Sequence, residues 1–84
     1  MIERRYRFTL TKHQVEDLKE NLLVDIDTVS SGIEQPNGTY QFDLGYEELE
    51  DLVENLAAAC NHAEDEKVEA RLETIYEKLT QVLD

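Results

Sequence analysis

The sequence predicts a small α+β domain in which a three-stranded sheet is covered by helices. Three observations indicate this class. Apolar residues recur every three or four positions in two C-terminal stretches, apolar and polar residues alternate in two shorter stretches, and one strand-and-helix unit occurs twice. We expect residues 1–84 to form one domain with the element order β-α-β-β-α-α, sheet order 1-3-2 and helices on one face.

The C-terminal half predicts a helical hairpin. Its two apolar stripes are Leu49, Leu52, Val53, Leu56, Cys60 and Ala63, then Val68, Leu72, Ile75, Tyr76, Leu79, Val82 and Leu83. On one straight helix these stripes would lie roughly 160° apart, on opposite faces. We therefore predict a break near Asn61–Asp65, with Asn61 as a left-handed C-cap and Asp65 as the N-cap of the next helix.

The N-terminal segment predicts one strand followed directly by a helix. Residues Ile2–Leu10 alternate between apolar and polar side chains, which is typical of a half-buried strand. Thr11 and Gln14 have the spacing of a capping box, so a helix begins there and is expected to end near Val24.

The middle of the chain predicts two further strands joined by a turn. Val24–Ile33 is interpreted as a strand whose alternation slips, which a bulge around Thr28–Val29 or at Gly32 would explain. Gln35–Gly38 has the Pro-Asn-Gly sequence of a turn, and Thr39–Leu44 alternates as a third strand.

A repeat relates the two halves of the chain. Shifting the sequence by 34 residues aligns Tyr6–Leu22 with Tyr40–Leu56, and nine of the seventeen positions are identical. Convergence of two strand-and-helix units would explain the apolar matches, but the matching Glu-Asp and Glu-Asn pairs lie off the core stripe. We infer duplication of a βα unit, about residues 2–23 and 38–63, followed by a final helix over 66–83. Two such units would relate by a pseudo-two-fold axis, with strands one and three antiparallel.

The charge balance limits the partners to be considered. The chain has 20 acidic and 8 basic residues, for a net charge of −12. Its first twelve residues carry +3, so the remainder carries −15. This charge disfavours direct binding of nucleic acids or anionic membranes and favours basic partners. A single cysteine, the absence of an apolar leader and the absence of a membrane-spanning run together predict a cytoplasmic location.

No motif of catalysis, cofactor binding or metal binding is recognisable. Cys60 and His62 form a Cys-x-His pair, but the rest of a zinc site is missing. We expect Cys60 to be a buried thiol in the apolar stripe and His62 to be exposed at a helix end. Ser30 and Ser31 show no link to a histidine, and the glycines form no phosphate loop. We therefore predict no catalytic, cofactor-binding or metal-ligating residues and a protein that is not an enzyme.

Three aspartates invite a cation-site hypothesis. Asp25, Asp27 and Asp43 could bind a divalent cation, although the remainder of a calcium loop is absent. The preferred interpretation places them opposite Arg5 and Arg7 on the outer sheet surface, as cross-strand ion pairs.

An acidic stripe on the penultimate helix is the candidate partner-binding surface. It comprises Glu47, Glu50, Asp51 and Glu54, with Glu48 on its flank, and Glu66, Glu69, Glu73 and Glu77 could extend it. The simpler interpretation is a solvated helix face, and the sharper one is a docking surface for a basic protein.

These features lead to three hypotheses of function. The first is a small acidic cytoplasmic protein that acts through protein–protein interaction and forms a homodimer through a sheet edge or the helical hairpin. The alternative is an acidic inhibitor, DNA-mimic or antitoxin-like, of a nucleic-acid-binding protein. The third is an enzyme or metalloprotein that uses Cys60, His62 and nearby acidic residues.

Overall fold

The computed structural model describes residues 4–22 and 26–83 of the chain. Its elements are β1 (Arg5–Thr11), α1 (Lys12–Asn21), α2 (Ile26–Ser30), β2 (Ile33–Glu34), β3 (Thr39–Gly45), α3 (Tyr46–His62) and α4 (Glu66–Leu83). The sheet has the order β1-β3-β2. The predicted α+β class, the strand order and the C-terminal helical hairpin are confirmed.

The sheet is built on the central strand β3. Seven residue pairs join β1 to β3 in antiparallel register, from Arg5–Gly45 to Thr11–Thr39, and two pairs join β2 to the other side of β3. Along β1 the even-numbered residues are buried and the odd-numbered residues are exposed. This alternation shows that helices cover one face of the sheet only, as predicted.

The turn between β2 and β3 is also as predicted. The Gly38 N–H donates to the Gln35 carbonyl at 3.0 Å, and Gly38 has a φ of 86°, which glycine adopts without steric cost. The Asn37 side chain accepts a hydrogen bond from the Thr39 N–H at 3.1 Å. These bonds fix the register in which β2 meets β3.

The predicted strand over Val24–Ile33 is wrong for most of its length. Within its described part, Ile26–Ser30 is helical and only Ile33–Glu34 forms a strand, so no bulge occurs at the proposed positions. Val29 reaches the core from the helical turn, with 1% of its surface exposed. The apparent slip of alternation is the three-residue step from Ile26 to Val29, which belongs to a helix. Burial of Val29 therefore overrides the strand preference of these β-branched residues.

The first helix begins as predicted. Thr11 Oγ1 accepts from the Gln14 N–H at 3.1 Å, and Gln14 Oε1 accepts from the Thr11 N–H at 2.9 Å, which completes the capping box. The strand before it extends to Thr11, and the helix ends at Asn21. Ile2, where the strand was predicted to begin, and Val24, where the helix was predicted to end, lie outside the described residues.

The hairpin break is confirmed, but one of its two predicted caps is wrong. Asn61 lies inside α3, and the chain leaves the helix at Ala63 with φ −68° and ψ 125°. An extended residue therefore turns the chain, and no left-handed residue is needed. Asp65 does cap α4, since its Oδ1 accepts from the Lys67 N–H at 2.8 Å.

The core lies between the sheet and the helices. Phe8 and Phe42 stack across the two long strands with ring centroids 5.1 Å apart. α4 packs on both α3 and α1, and Arg71 Nε of α4 lies 3.1 Å from Asp17 Oδ2 of α1. The buried side chains are Tyr6, Phe8, Leu10, Val15, Leu18, Leu22, Val29, Phe42, Leu44, Leu49, Leu52, Val53, Leu56, Leu72, Ile75 and Leu79.

The repeat has a structural counterpart. The bounds of β1 shifted by 34 residues are those of β3, and α1 and α3 begin at equivalent positions. The Gly45 N–H donates to Glu48 Oε1 at 3.3 Å, which matches the bond between Thr11 and Gln14. In the ladder Phe8 pairs with Phe42, its own equivalent. The two strands are therefore related by a local two-fold axis at this pair.

Candidate functional site: an acidic groove between the last two helices

An open groove runs along the outer side of the helical hairpin. Residues Ala57, Cys60 and Asn61 of α3 form one wall, and Glu73 and Tyr76 of α4 form the other. The groove lies where the two helices of the hairpin meet, and Ala57 is the smallest of its five lining side chains. The groove therefore brings Ala57, Cys60 and the Tyr76 ring together with the polar side chains of Asn61 and Glu73.

Carboxylates continue both walls of the groove. On α3, Glu50 and Glu54 precede Ala57 and Asn61 at steps of four, three and four residues, so these four side chains share one flank of the helix. On α4, Glu69, Glu73 and Glu77 follow one another at steps of four residues, and Glu73 lines the groove. These three residues belong to the predicted extension of the acidic stripe onto α4.

The structure divides the predicted stripe in two. Glu50 is half-buried, whereas Glu47, Asp51 and Glu54 are exposed. Among the described residues, the ion pairs involve none of these four carboxylates. Glu48, on the flank, is directed elsewhere, since its Oε1 lies 4.0 Å from Arg5 Nη1.

Glu50 has a partner within its own helix. The hydrogen bond from the Tyr46 hydroxyl to Glu50, together with the negative charge of that carboxylate, raises the pKa of Tyr46. Tyr46 is nevertheless 48% exposed, and its ring lies 6.2 Å from that of Tyr6. An aromatic side chain therefore stands at the N-terminal end of α3, four residues before Glu50.

Cys60 is less buried than predicted. Its thiol is partly buried at the groove, where Ala57 and Asn61 leave one side open. Burial raises the pKa of the Cys60 thiol, and the negative charges of Glu73 and Glu69 raise it further. At neutral pH the thiol is thus protonated.

The other chemical candidates do not converge. His62 is exposed at the end of α3, as predicted, and His13 is exposed at the start of α1, 4.0 Å from Glu16. Within residues 4–22 and 26–83, no three His, Cys, Asp or Glu side chains are arranged to hold a metal ion. The Ser31 hydroxyl donates to the Thr28 carbonyl at 2.6 Å, a local bond that stabilises the end of α2.

The predicted ion pairs on the outer sheet face are partly correct. Asp43 lies 3.1 Å from Arg5 Nε and 3.7 Å from Arg7 Nε. The predicted placement of Asp27 on the outer sheet face is wrong, because Asp27 belongs to the first turn of α2 and not to a strand. Asp25 lies outside the described residues. The proposed alignment of three aspartates on one sheet face therefore reduces to Asp43.

Comparison of the chain with family models, with curated proteins and with solved structures finds no match in any of the three. None of the helices in the described ranges is long and apolar enough to cross a membrane.

Sequence reasoning missed the groove itself. Tyr76 was assigned to the apolar stripe, and its partial exposure depends on how α3 and α4 pack. The run Ala57-Ala58-Ala59 is the feature of the sequence that could have indicated the groove, because small residues on one helix leave space against a neighbouring helix.

Proposed function

We propose that this protein works in the cytoplasm by binding another protein, and that it is not an enzyme. The observation that supports this proposal is the groove between α3 and α4, where Ala57 and the Tyr76 ring lie beside the carboxylate of Glu73. Glu50 and Glu54 continue the same flank of α3 toward its N-terminus. Its charged groups are carboxylates on helix surfaces, which accept hydrogen bonds and attract cations. The surface is suited to recognition rather than to chemistry.

The chemistry of the groove specifies the partner. Glu50, Glu54, Glu69 and Glu73 offer negative charge along two sides, while Ala57 and Tyr76 offer apolar contact between them. A basic segment with Lys or Arg on both edges and an apolar residue at its centre would satisfy both. The net charge of −12 would attract such a segment, and the range of this attraction would become shorter as the salt concentration rises.

The experiment is an affinity capture with three baits at two salt concentrations. The groove variant combines Glu54→Lys with Glu73→Lys, one change on each wall. The matched control combines Glu20→Lys with Asp27→Lys, which are exposed positions outside the hairpin and change the net charge by the same amount. Captured proteins are identified by mass spectrometry at about 50 mM and about 300 mM NaCl.

The proposal predicts a basic protein that the native chain and the control variant retain at low salt. The groove variant should lose it, and high salt should release it. Circular dichroism must show that both variants keep the native helix content. Capture of the same proteins by the groove variant and the control variant would show that net charge alone attracts them, and would reject the groove as the binding surface.

The same capture tests the alternative of an acidic inhibitor. If the captured basic protein binds nucleic acid, the native chain should compete with that nucleic acid for it. Competition that the groove variant loses and the control variant retains would support a DNA-mimic or antitoxin-like role. Simultaneous binding of chain and nucleic acid would exclude it.

A further inference from the structure

Strand β1 forms one edge of the sheet. In the described part of the chain β1 pairs with β3 alone, so the backbone groups on its other side have no strand partner. The edge is seven residues long, from Arg5 to Thr11, whereas the opposite edge of the sheet is the two-residue β2. Such an edge is a template for another strand.

The existing ladder shows which strand this edge can accept. β1 pairs with a strand that is its own repeat, in a register centred on the Phe8–Phe42 pair. Within that register Tyr6 meets Leu44 and Leu10 meets Tyr40. Each of these inner residues of β3 is the repeat equivalent of an inner residue of β1. The β1–β3 ladder therefore already pairs two copies of the same Tyr-x-Phe-x-Leu sequence in antiparallel orientation.

We propose that β1 binds β1 of a second copy of this chain, antiparallel and centred on Phe8. The two sheets would then join into one six-stranded sheet with the helices of both copies on the same face. This register uses all seven residues of β1, since Phe8 is the midpoint of the strand. It goes beyond the proposed function, because it involves neither the groove nor its partner.

Charge and ladder length together favour this register over its neighbours. Pairing about Phe8 places Arg7 opposite Thr9 and Arg5 opposite Thr11 of the second copy. A register centred on Arg7 would oppose two Arg7 side chains, and like charges directly opposite each other destabilise a ladder. A register centred on Thr9 would oppose no like charges, but it would leave Arg5 and Tyr6 of each copy unpaired. The register centred on Phe8 is therefore the one that pairs the whole strand without opposing like charges.

The inner side chains are already covered by helices, so the new contact consists mainly of backbone hydrogen bonds. Tyr6 is 9% and Phe8 7% exposed. We expect a weak dimer, opposed by the repulsion of two copies that each carry −12. Salt screens this repulsion, so dimerisation should strengthen with NaCl, whereas binding of a basic partner should weaken. The two proposals can therefore fail independently.

The test uses sedimentation equilibrium of the full chain up to about 1 mM, at low and high NaCl. In the proposed register Thr9 lies opposite Arg7 of the second copy. Thr9→Glu would therefore place an opposite charge beside that arginine, and Thr9→Arg would place a like charge there. Thr9 is exposed and its neighbour on β3 is the uncharged Gln41. Gln41→Glu and Gln41→Arg are matched controls, because they make the same charge changes in the same row but one strand away from the edge.

The expected result is a dimer that Thr9→Glu tightens and Thr9→Arg weakens, each by about 2- to 30-fold for two symmetric pairs. The Gln41 variants should change the dissociation constant much less. Circular dichroism of each dilute variant verifies the monomer fold. A native chain that stays monomeric at every salt concentration would overturn the proposal. A dimer that responds equally to the Thr9 and Gln41 variants would overturn it as well.

Discussion

At the scale of single residues, Gly32 has the most specific steric role. A methyl group added there would lie 2.5 Å from Cζ of Phe42. The Phe42 ring cannot easily move, because it is 1% exposed and stacked on Phe8. Gly32 thus lets the chain pass from α2 into β2 directly against a core aromatic ring.

Replacing Gly32 by alanine should destabilise the fold by about 1–3 kcal/mol, because the core is already packed. Urea unfolding of the dilute protein measures this change. The control is a double-mutant cycle with Phe42→Leu, whose smaller side chain should absorb the added methyl. If the two changes are additive, contact with the ring is not the cause.

Cys60 is the residue whose titration reports on the groove. Burial, Glu73 and Glu69 raise the pKa of its thiol. Removing the negative charge with Glu73→Gln should lower that pKa, so a larger thiolate fraction should form at a given alkaline pH. Alkylation rates measured from about pH 7 to 10 should therefore increase in this variant.

Glu77→Gln is the matched control for the thiol experiment. It removes the same charge from the next turn of α4, at a residue that does not raise the Cys60 pKa. An equal rate increase in both variants would contradict the local effect of Glu73. It would point instead to the total charge of the protein.

At the scale of elements, helix boundaries depend on polar side chains at the caps. Asp65 separates the two helices of the hairpin by accepting the Lys67 N–H through its side chain. Its carbonyl accepts the Glu69 N–H at 2.9 Å. The hairpin therefore reverses between Ala63 and Asp65 without a glycine or proline.

Asp65→Ala should lower the free energy of unfolding by about 1 kcal/mol, because the first turn of α4 loses its side-chain acceptor. Thermal or urea unfolding measures this loss. Glu64→Ala removes the same charge from the exposed neighbour outside the helix, and we expect a change within about 0.5 kcal/mol. Equal losses would show that Asp65 acts through charge and not as a cap.

At the scale of the whole molecule, charge is the dominant feature. The chain has twenty acidic and eight basic residues. Three of the basic residues, Arg5, Arg7 and Arg71, pair with aspartates. Folding brings the remaining carboxylates closer together than they are in the unfolded chain. The native state therefore carries electrostatic self-repulsion.

Salt should relieve this repulsion and raise the melting temperature of the dilute monomer between about 20 and 300 mM NaCl. The comparison is a charge-reduced variant with Glu47→Gln, Asp51→Asn and Glu54→Gln, which should depend less on salt. If the melting temperature rose equally with NaCl concentration in both proteins, the stabilisation would come from salting-out of apolar surface and not from screening of these charges. A melting temperature that falls with salt would contradict the prediction.

Most elements could be predicted from the sequence because their periodicities are unambiguous. α3 and α4 each repeat apolar residues over more than four turns, and β1 and β3 alternate over seven residues. The turn between β2 and β3 needs a residue with positive φ, and Gly38 provides it. The 34-residue repeat predicts the sheet order, because two equivalent units related by a two-fold axis place β1 and β3 side by side.

The segment after α1 could not be predicted for a physical reason. Ile26–Ser30 forms little more than one helical turn, and its β-branched residues favour a strand when considered alone. Its conformation depends on whether Val29 can reach the core. That depends on the position of α1 above the sheet, which local sequence does not encode.

The α+β class, the helical hairpin and the sheet order follow from periodicity and repetition in the amino-acid sequence, and the acidic surface follows from its composition. Packing between distant elements is what brings Ala57, Cys60 and Tyr76 to one groove and places Asp43 within reach of both Arg5 and Arg7. The physical reason is that these arrangements join distant parts of the chain. Packing between two helices, or between two strands, sets them, and no single segment contains that information.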